Sequence, residues 1–247
     1  GFLRAIDGNK DAAAGGGDEL WSFVAPEHYA MLKRQRAGTP LLHLPETNSD
    51  GKLEPTLLDA EPKNYAFDGP IGSYVLYNSG STSVSEAMIY ASMRRGGKAV
   101  YAIDVTSPTA PKFKWKIDSS GSFSDLAQTW SMAKPIVYKS TSGPPPVVVM
   151  MGGGYDVAEE TNEDNKTGTP AGNRVYFING RTGALLKAVT TDYSVAADVT
   201  VVDVTLDGRP DRAYAVDVRG NVYRIDLPAT GDVLDSATWT STAAVKI

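Results

Sequence analysis

Val175-Tyr176-Phe177-Ile178-Asn179-Gly180-Arg181-Thr182-Gly183 is the clearest copy of a pattern that recurs along this chain. An apolar run ends in a short polar residue, a glycine-containing turn follows, and a second apolar run extends from Ala184 to Val189. β-Branched and aromatic residues on both sides of such a turn are typical of two antiparallel strands. The stretch therefore predicts a β-hairpin.

Three further copies of this hairpin pattern lie at Leu3 to Phe23, at Val100 to Ile117 and at Val222 to Leu234. In the last copy, we expect Thr230-Gly231-Asp232-Val233-Leu234 to supply the turn and the second strand. Two more strands are predicted before each of three copies, at Ile71 to Tyr77 with Met88 to Met93, Pro135 to Tyr138 with Val147 to Met151, and Val199 to Asp203 with Arg212 to Val216. Repeated groups of four antiparallel strands indicate the blades of a β-propeller.

The predicted fold is thus all-β, with about three and a half blades, roughly half of a closed propeller. Residues 1–247 form one partial propeller domain in this interpretation, with insertions at about 25–69 and 156–173. The first insertion includes a predicted helix from Glu27 to Arg36. Half a propeller would expose sheet edges, so we expect the remaining blades to come from a longer polypeptide or from another chain.

Composition narrows the functional classes. The formal net charge of −5 gives no indication of a nucleic-acid partner. The chain has no cysteine, which excludes disulfides, thiolate metal sites and thiol nucleophiles and fits an exported protein. No run of about 20 apolar residues indicates a membrane helix. Because Gly1 to Asp7 already reads as a strand, we expect a fragment of a longer protein without a visible signal peptide.

The stretch Asp203-Val204-Thr205-Leu206-Asp207-Gly208-Arg209-Pro210-Asp211 has the spacing of a calcium loop. Carboxylates stand at positions 1, 5 and 9, a hydroxyl at position 3 and a glycine at position 6, and hard cations take oxygen ligands from alternate loop positions. Gly208 permits a sharp turn that aims the Arg209 carbonyl inward as the position 7 ligand. The predicted calcium ligands are Asp203, Thr205, Asp207, Arg209 and Asp211.

An Asp-Gly turn between two strands is the simpler interpretation of the same residues, and the alternating carboxylates favour calcium over it. Thr205 stands where aspartate or asparagine is usual, which predicts weaker binding. A second stretch, Glu46 to Glu54, has similar spacing. It is the weaker candidate metal site, with ligands Glu46, Asn48, Asp50 and Glu54, and a solvated turn is the favoured interpretation.

Three stretches carry a resemblance to a known family: Gly96 to Pro108, Thr129 to Pro135, and Asp203 to Leu227. The last stretch contains the loop with calcium spacing and the hairpin that follows it. The hairpin segment that matches closely is Gly220-Asn221-Val222-Tyr223-Arg224-Ile225-Asp226-Leu227. The hairpin from Gly1 to Phe23 also fits. The chain resembles the C-terminal propeller of the PilY-type proteins of type IV pili.

The resemblance implies a modified seven-bladed propeller in a secreted, non-enzymatic protein. It implies a location at the pilus tip, the cell surface or the outer membrane, with passage through the periplasm, and pilins or minor pilins as partners. Family members promote pilus extension, adhesion and twitching motility, and calcium in the matching loop supports extension against retraction. For this chain, that role would fall to the Asp203–Asp211 loop. The surface or host ligand is not implied by any residue.

Two alternatives stay open at the sequence level. Quinoprotein dehydrogenases share the hairpin style of Gly17 to Trp21, although the vicinal disulfide common above their quinone cannot form without cysteine. Integrin-like or lectin-like propellers also bind calcium, but they usually repeat the loop in several blades, whereas one strong copy occurs here.

Overall fold

The computed structural model describes residues 1–9, 11, 13, 15–39, 63–140, 142–159 and 170–247, and the backbone alone at 46–47 and 53–54. The chain divides into two compact units, Gly1–Ala66 and Phe67–Ile247. Within the described residues, no helix has the length and apolar character needed to cross a membrane.

The first unit contains two antiparallel hairpins and one helix. Strands β1 (Leu3–Ile6) and β2 (Glu19–Phe23) form the predicted first hairpin. A 3-10 turn at Pro26–His28 leads into helix α1 (Tyr29–Ala37), which confirms the predicted helix. Strands β3 (Glu46–Thr47) and β4 (Leu53–Glu54) pair further along the chain.

The second unit consists of three four-stranded antiparallel sheets in which each strand pairs with its neighbours in sequence. The first sheet contains β5 (Ile71–Tyr77), β6 (Val84–Ser92), β7 (Ala99–Asp104) and β8 (Lys112–Asp118). The second contains β9 (Lys134–Val137), β10 (Val147–Gly152), β11 (Arg174–Asn179) and β12 (Leu185–Thr190). The third contains β13 (Thr200–Val202), β14 (Arg212–Val216), β15 (Val222–Asp226) and β16 (Ala244–Lys246).

Strand β10 shows why the sheets pack face to face. Every residue of this strand is buried, and alternate side chains of a strand point to opposite faces of its sheet. Val149 lies in the apolar core shared with the first sheet, and Val148 lies in the core shared with the third. The middle sheet is therefore covered on both faces, and its central strand is apolar at every position before its last glycine.

One carbonyl group of the second sheet accepts hydrogen bonds from two side chains of the first. The carbonyl oxygen of Gly180, in the β11–β12 turn, accepts hydrogen bonds from the Tyr90 hydroxyl and the Trp115 indole N–H, both at 2.9 Å. Both aromatic rings lie in the core between the two sheets. The two rings therefore pack the first sheet against the second.

A charged pair lies beside this carbonyl. The Arg181 guanidinium donates to both carboxylate oxygens of Glu86, with distances of 2.7–3.0 Å, and the Tyr74 hydroxyl donates to Glu86 Oε1 at 2.8 Å. Burial alone would raise the pKa of Glu86, but the bonds from Arg181 and Tyr74 outweigh it and lower that pKa below its ordinary value. The pair is half-buried and bidentate, the geometry in which an ion pair restricts orientation most strongly.

The last predicted hairpin needs a correction. The strand that pairs with β15 is β16, and Thr230 to Leu234 form a loop instead. A buried indole accounts for this path, because the ring centre of Trp239 lies 4.8 Å from that of Phe177 and the indole N–H donates to the Val233 carbonyl at 3.0 Å. The segment between β15 and β16 is therefore long enough to place Trp239 in the core before β16 begins at Ala244.

We expect opposite effects from removing two buried tyrosine hydroxyls. Tyr90→Phe loses the bond to the Gly180 carbonyl and should lower the free energy of unfolding by about 1 kcal/mol. Tyr138 is equally buried, but its hydroxyl has no hydrogen-bond partner among the described residues, so Tyr138→Phe should raise that free energy by about 1 kcal/mol. Urea unfolding of both variants measures the difference, and shifts of the same sign would contradict this account.

Candidate cation-binding loop

The predicted calcium ligands lie in the connection between β13 and β14, here called the cation loop (Asp203–Asp211). The Asp211 N–H donates to the Val202 carbonyl at 3.0 Å, which closes the loop at its base. The loop therefore joins two antiparallel strands, as the sequence predicts. Loops on such rigid supports are common places for binding sites.

Three of the five predicted ligands come together in this loop. The Thr205 hydroxyl lies 3.4 Å from Oδ1 of Asp203 and 3.3 Å from Oδ2 of Asp211, which are contacts at the long end of the hydrogen-bond range. Thr205 at position 3 thus lies between the first and last carboxylates of the loop and donates its single hydroxyl proton to one of them at a time.

Backbone N–H groups of the loop hold the same carboxylates. Asp211 Oδ2 accepts from the N–H of Val204 at 2.6 Å and of Thr205 at 3.0 Å, and Asp203 Oδ2 accepts from the N–H of Gly208 at 2.8 Å. The bond from Thr205, aided by that from Val204, lowers the pKa of Asp211 against the opposing effect of desolvation. Asp211 is therefore an anionic oxygen donor at neutral pH.

Asp207 and Arg209 occupy the other side of the turn. Asp207 Oδ1 accepts from the Arg209 N–H at 2.7 Å, a local turn of the Asx type. Across the described part of the chain, no three or more aspartate, glutamate or histidine side chains cluster closely enough to hold a metal ion. The structure therefore brings Asp203, Thr205 and Asp211 together and places the Asp207 carboxylate against the Arg209 amide.

The chemistry of the donor set fits a hard cation. An ionised carboxylate has about four lone-pair positions, so the hydrogen bonds described above leave acceptor capacity on each aspartate. The Arg209 guanidinium is held away from these carboxylates, because it donates to the carbonyls of Pro228, Thr230 and Gly231 at 2.8–3.1 Å. Carboxylate, hydroxyl and carbonyl oxygens are a set that calcium accepts.

Two apolar side chains project from the same loop. Leu206 is 86% exposed and has a φ of 58°, in the left-handed region that is strained for a leucine. Val204 is 55% exposed. Packing within this structure does not stabilise either side chain, because both are exposed. Backbone strain of the kind seen at Leu206 is found most often at functional sites.

The second candidate metal site is only partly visible. The backbones of Glu46 and Glu54 are paired in the β3–β4 hairpin, whereas Asn48 and Asp50 lie outside the described residues. This site stays a prediction.

An oxygen-rich loop near the N-terminus escaped the sequence reasoning. Asp7 Oδ1 accepts from the Asn9 N–H at 2.9 Å, Asn9 Oδ1 from the Asp11 N–H at 3.1 Å, and Asp11 Oδ1 from the Ala13 N–H at 2.9 Å. Asp7, Asn9, Asp11 and Asp18 stand at positions 1, 3, 5 and 12 of a calcium-type spacing. This spacing is the sequence signal by which the loop could have been recognised. The hydrogen bonds of these side chains are local turns, and we assign no ligand to them.

Comparison with known proteins places this architecture in a family. The profile of the PilY1 beta-propeller domain matches residues 61–245, which is most of the chain and includes the three four-stranded sheets except the last residue of β16. The chain belongs to the PilY1 β-propeller domain family. The propeller fold expected from the repeats is thereby confirmed.

Curated relatives carry the same family name. The Type IV pilus biogenesis factor PilY1 of Pseudomonas aeruginosa strain UCBPP-PA14 is 33% identical over 145 residues, covering 57% of this chain and 11% of that protein. The PilY1 of strain PAO1 is 32% identical over 170 residues, covering 64% of this chain and 13% of that protein. The chain thus matches only a small part of the length of these relatives.

A solved structure supports the fold independently. The crystal structure of the Pseudomonas aeruginosa PilY1 C-terminal domain matches with a TM-score of 0.57 at 20% sequence identity. The match covers 98% of this chain and 43% of that chain. This chain therefore corresponds to somewhat less than half of that domain.

Proposed function

We propose that this chain is a calcium-binding, non-enzymatic propeller module of a type IV pilus biogenesis and adhesion protein. The observation that carries the proposal is the convergence of the Asp203, Thr205 and Asp211 oxygens in the β13–β14 loop of a PilY1-family propeller. Relatives named as type IV pilus biogenesis factors support a location at the pilus or cell surface and pilins or minor pilins as partners. Family membership also favours this role over the quinoprotein-like and the integrin- or lectin-like alternatives.

The physical basis of regulation is linkage between ion binding and loop order. A cation that binds only the ordered cation loop stabilises that state by RT ln(1 + [L]/Kd), about 2.7 kcal/mol at a hundredfold excess over Kd. If a pilus partner recognises the ordered loop, calcium occupancy shifts the balance between pilus extension and retraction, and with it twitching motility.

Calcium titration by calorimetry tests the site. The protein should bind one calcium ion in this loop with the modest affinity expected when threonine fills position 3, and Asp207→Ala should abolish that binding. Asp232→Ala is the matched control, because Asp232 forms a similar exposed turn with Leu234 outside the loop, and this variant should bind as the parent does.

Loss of binding in both variants, or in neither, would contradict the assignment of the site. In cells, the Asp207→Ala strain should lose the calcium dependence of twitching, and unchanged calcium-dependent motility would contradict the regulatory role.

The exposed apolar side chains of the cation loop suggest how a partner recognises it. Leu206 and Val204 occupy positions 4 and 2, between the predicted ligands, so order in the loop fixes the direction of both side chains. Apolar anchors that fill a pocket on a partner dominate many interfaces. We infer that Leu206 inserts into an apolar pocket of a pilin or minor pilin when calcium orders the loop.

Leu206→Gly separates this role from stability. Glycine adopts a φ of 58° without strain, so this variant should unfold no more easily than the parent and should bind calcium normally. Co-purification with pilus components should fall at least about tenfold, since one buried leucine contributes roughly 1.5–3 kcal/mol. Undiminished co-purification at saturating calcium would refute the docking role of Leu206.

The outer face of the third sheet suggests a further contact. Val202, Val216 and Val245 are exposed there, while Ala213 and Ile225 on the opposite face are buried against the second sheet. Since the middle sheet is covered on both faces, we propose that an additional blade of the same polypeptide covers this face.

Hydrogen exchange of the β16 amides tests this contact. Exchange should be slower in a longer polypeptide that contains the following blade than in this 247-residue chain. Equal exchange rates would show that the third sheet has no such neighbour.

A further inference from the structure

The cation loop touches the neighbouring sheet through its glycine. The Lys139 N–H, in the β9–β10 hairpin of the second sheet, donates to the Gly208 carbonyl at 2.9 Å. A Cβ added to Gly208 would lie 2.7 Å from the Lys139 Cβ, closer than non-bonded carbon atoms approach. The hairpin therefore packs directly against the backbone of the loop at position 6.

Arg209 ties the loop to two other segments. Its guanidinium donates to the carbonyls of Pro228, Thr230 and Gly231, in the connection after β15, and lies 5.9 Å from the centre of the Tyr138 ring. The Arg209 side chain thus anchors position 7 of the loop to residues outside the loop. The predicted ligand at this position is the Arg209 backbone carbonyl. Arg209 is in this sense a positioning residue.

Tyr138 connects these contacts to the core. It is 2% exposed and belongs to the apolar cluster shared by the second and third sheets. Its N–H donates to the Pro146 carbonyl at 2.9 Å across the hairpin, one residue before the Lys139 bond to the loop. Movement of the β9–β10 hairpin therefore changes contacts both at the loop and in the core between the sheets.

We infer that the cation loop is a coupling element, through which a bound divalent cation fixes the second sheet against the third. This inference rests on the proposed calcium site and specifies what calcium binding changes in the protein, namely the contact between the second and third sheets. Asp203 accepts from the Gly208 N–H and Gly208 accepts from Lys139, so a ligand carboxylate is two hydrogen bonds away from the neighbouring hairpin. The hydrogen bond between Lys139 and Gly208 makes the position of the second sheet depend on the order of the loop. The Arg209 side chain fixes the position of the loop through its bonds to the connection after β15.

Hydrogen exchange at the Lys139 amide reports this coupling without a functional assay. If opening of the Lys139–Gly208 bond requires release of the cation, the exchange rate falls by 1 + [L]/Kd, about a hundredfold at a hundredfold excess of calcium over Kd. Exchange is measured by NMR or fragment mass spectrometry on the purified protein in chelator and in calcium, beside a calcium titration of the same sample.

Gly208→Ala and Gly220→Ala form a matched pair. Both glycines have positive φ, at 87° and 82°, so alanine strains the backbone equally, but a Cβ at Gly220 meets no atom within 4 Å. Gly208→Ala keeps every predicted ligand atom and displaces Lys139. Calcium should slow Lys139 exchange in the parent and in Gly220→Ala, but not in Gly208→Ala.

Arg209→Met provides a second variant if Gly208→Ala does not fold. It keeps the carbonyl ligand and removes the guanidinium, so calcium affinity should fall at least about threefold, and the slowing of Lys139 exchange at a fixed calcium concentration should shrink in proportion. Arg219→Met, on the β14–β15 turn, should leave both quantities unchanged.

The outcomes separate the coupling from the calcium site. Calcium binding with unchanged Lys139 exchange in the parent would overturn the coupling and leave the site intact. No calcium binding would overturn the site and the cation-driven coupling together. Equal calcium responses in Gly208→Ala and Gly220→Ala would overturn the role of the Gly208 contact.

Discussion

Burial of the middle sheet on both faces is the constraint on which the rest of this structure depends. Strand β10 is buried at every position, with Val148 and Val149 directed into different apolar cores. Besides the two apolar cores, hydrogen bonds made at turns hold the neighbouring sheets on the middle one. The Glu86–Arg181 pair and the bonds to the Gly180 carbonyl fix the first sheet on the second at such a turn.

The cation loop shows the same arrangement at the next interface. Its carboxylates are oriented by N–H groups of the loop itself, so the donors are held in place without being buried. Its glycine and its arginine contact the second sheet and the connection after β15, respectively. A loop that touches two neighbours can transmit a local binding event only because the sheets themselves are rigid.

Much of the fold was predictable because the repeated apolar runs and glycine turns act locally, and three blades follow from them. The path from Thr230 to Leu234 was not, since the burial of Trp239 on Phe177 depends on a contact between sheets that no local pattern encodes. In the loop, spacing identified Asp203, Thr205 and Asp211 as neighbours. It could not predict that Asp207 would bond the Arg209 amide, or that Lys139 would reach Gly208 from another sheet.

A crystal structure of the protein grown with calcium tests the central claim most directly. The account predicts a calcium ion bound by oxygen atoms of Asp203, Thr205, Asp207 and Asp211 and by the Arg209 carbonyl, at about 2.3–2.6 Å. It also predicts that the Lys139–Gly208 hydrogen bond persists in that structure. A cation loop without an ion at saturating calcium, or an ion held by a different set of residues, would contradict the account.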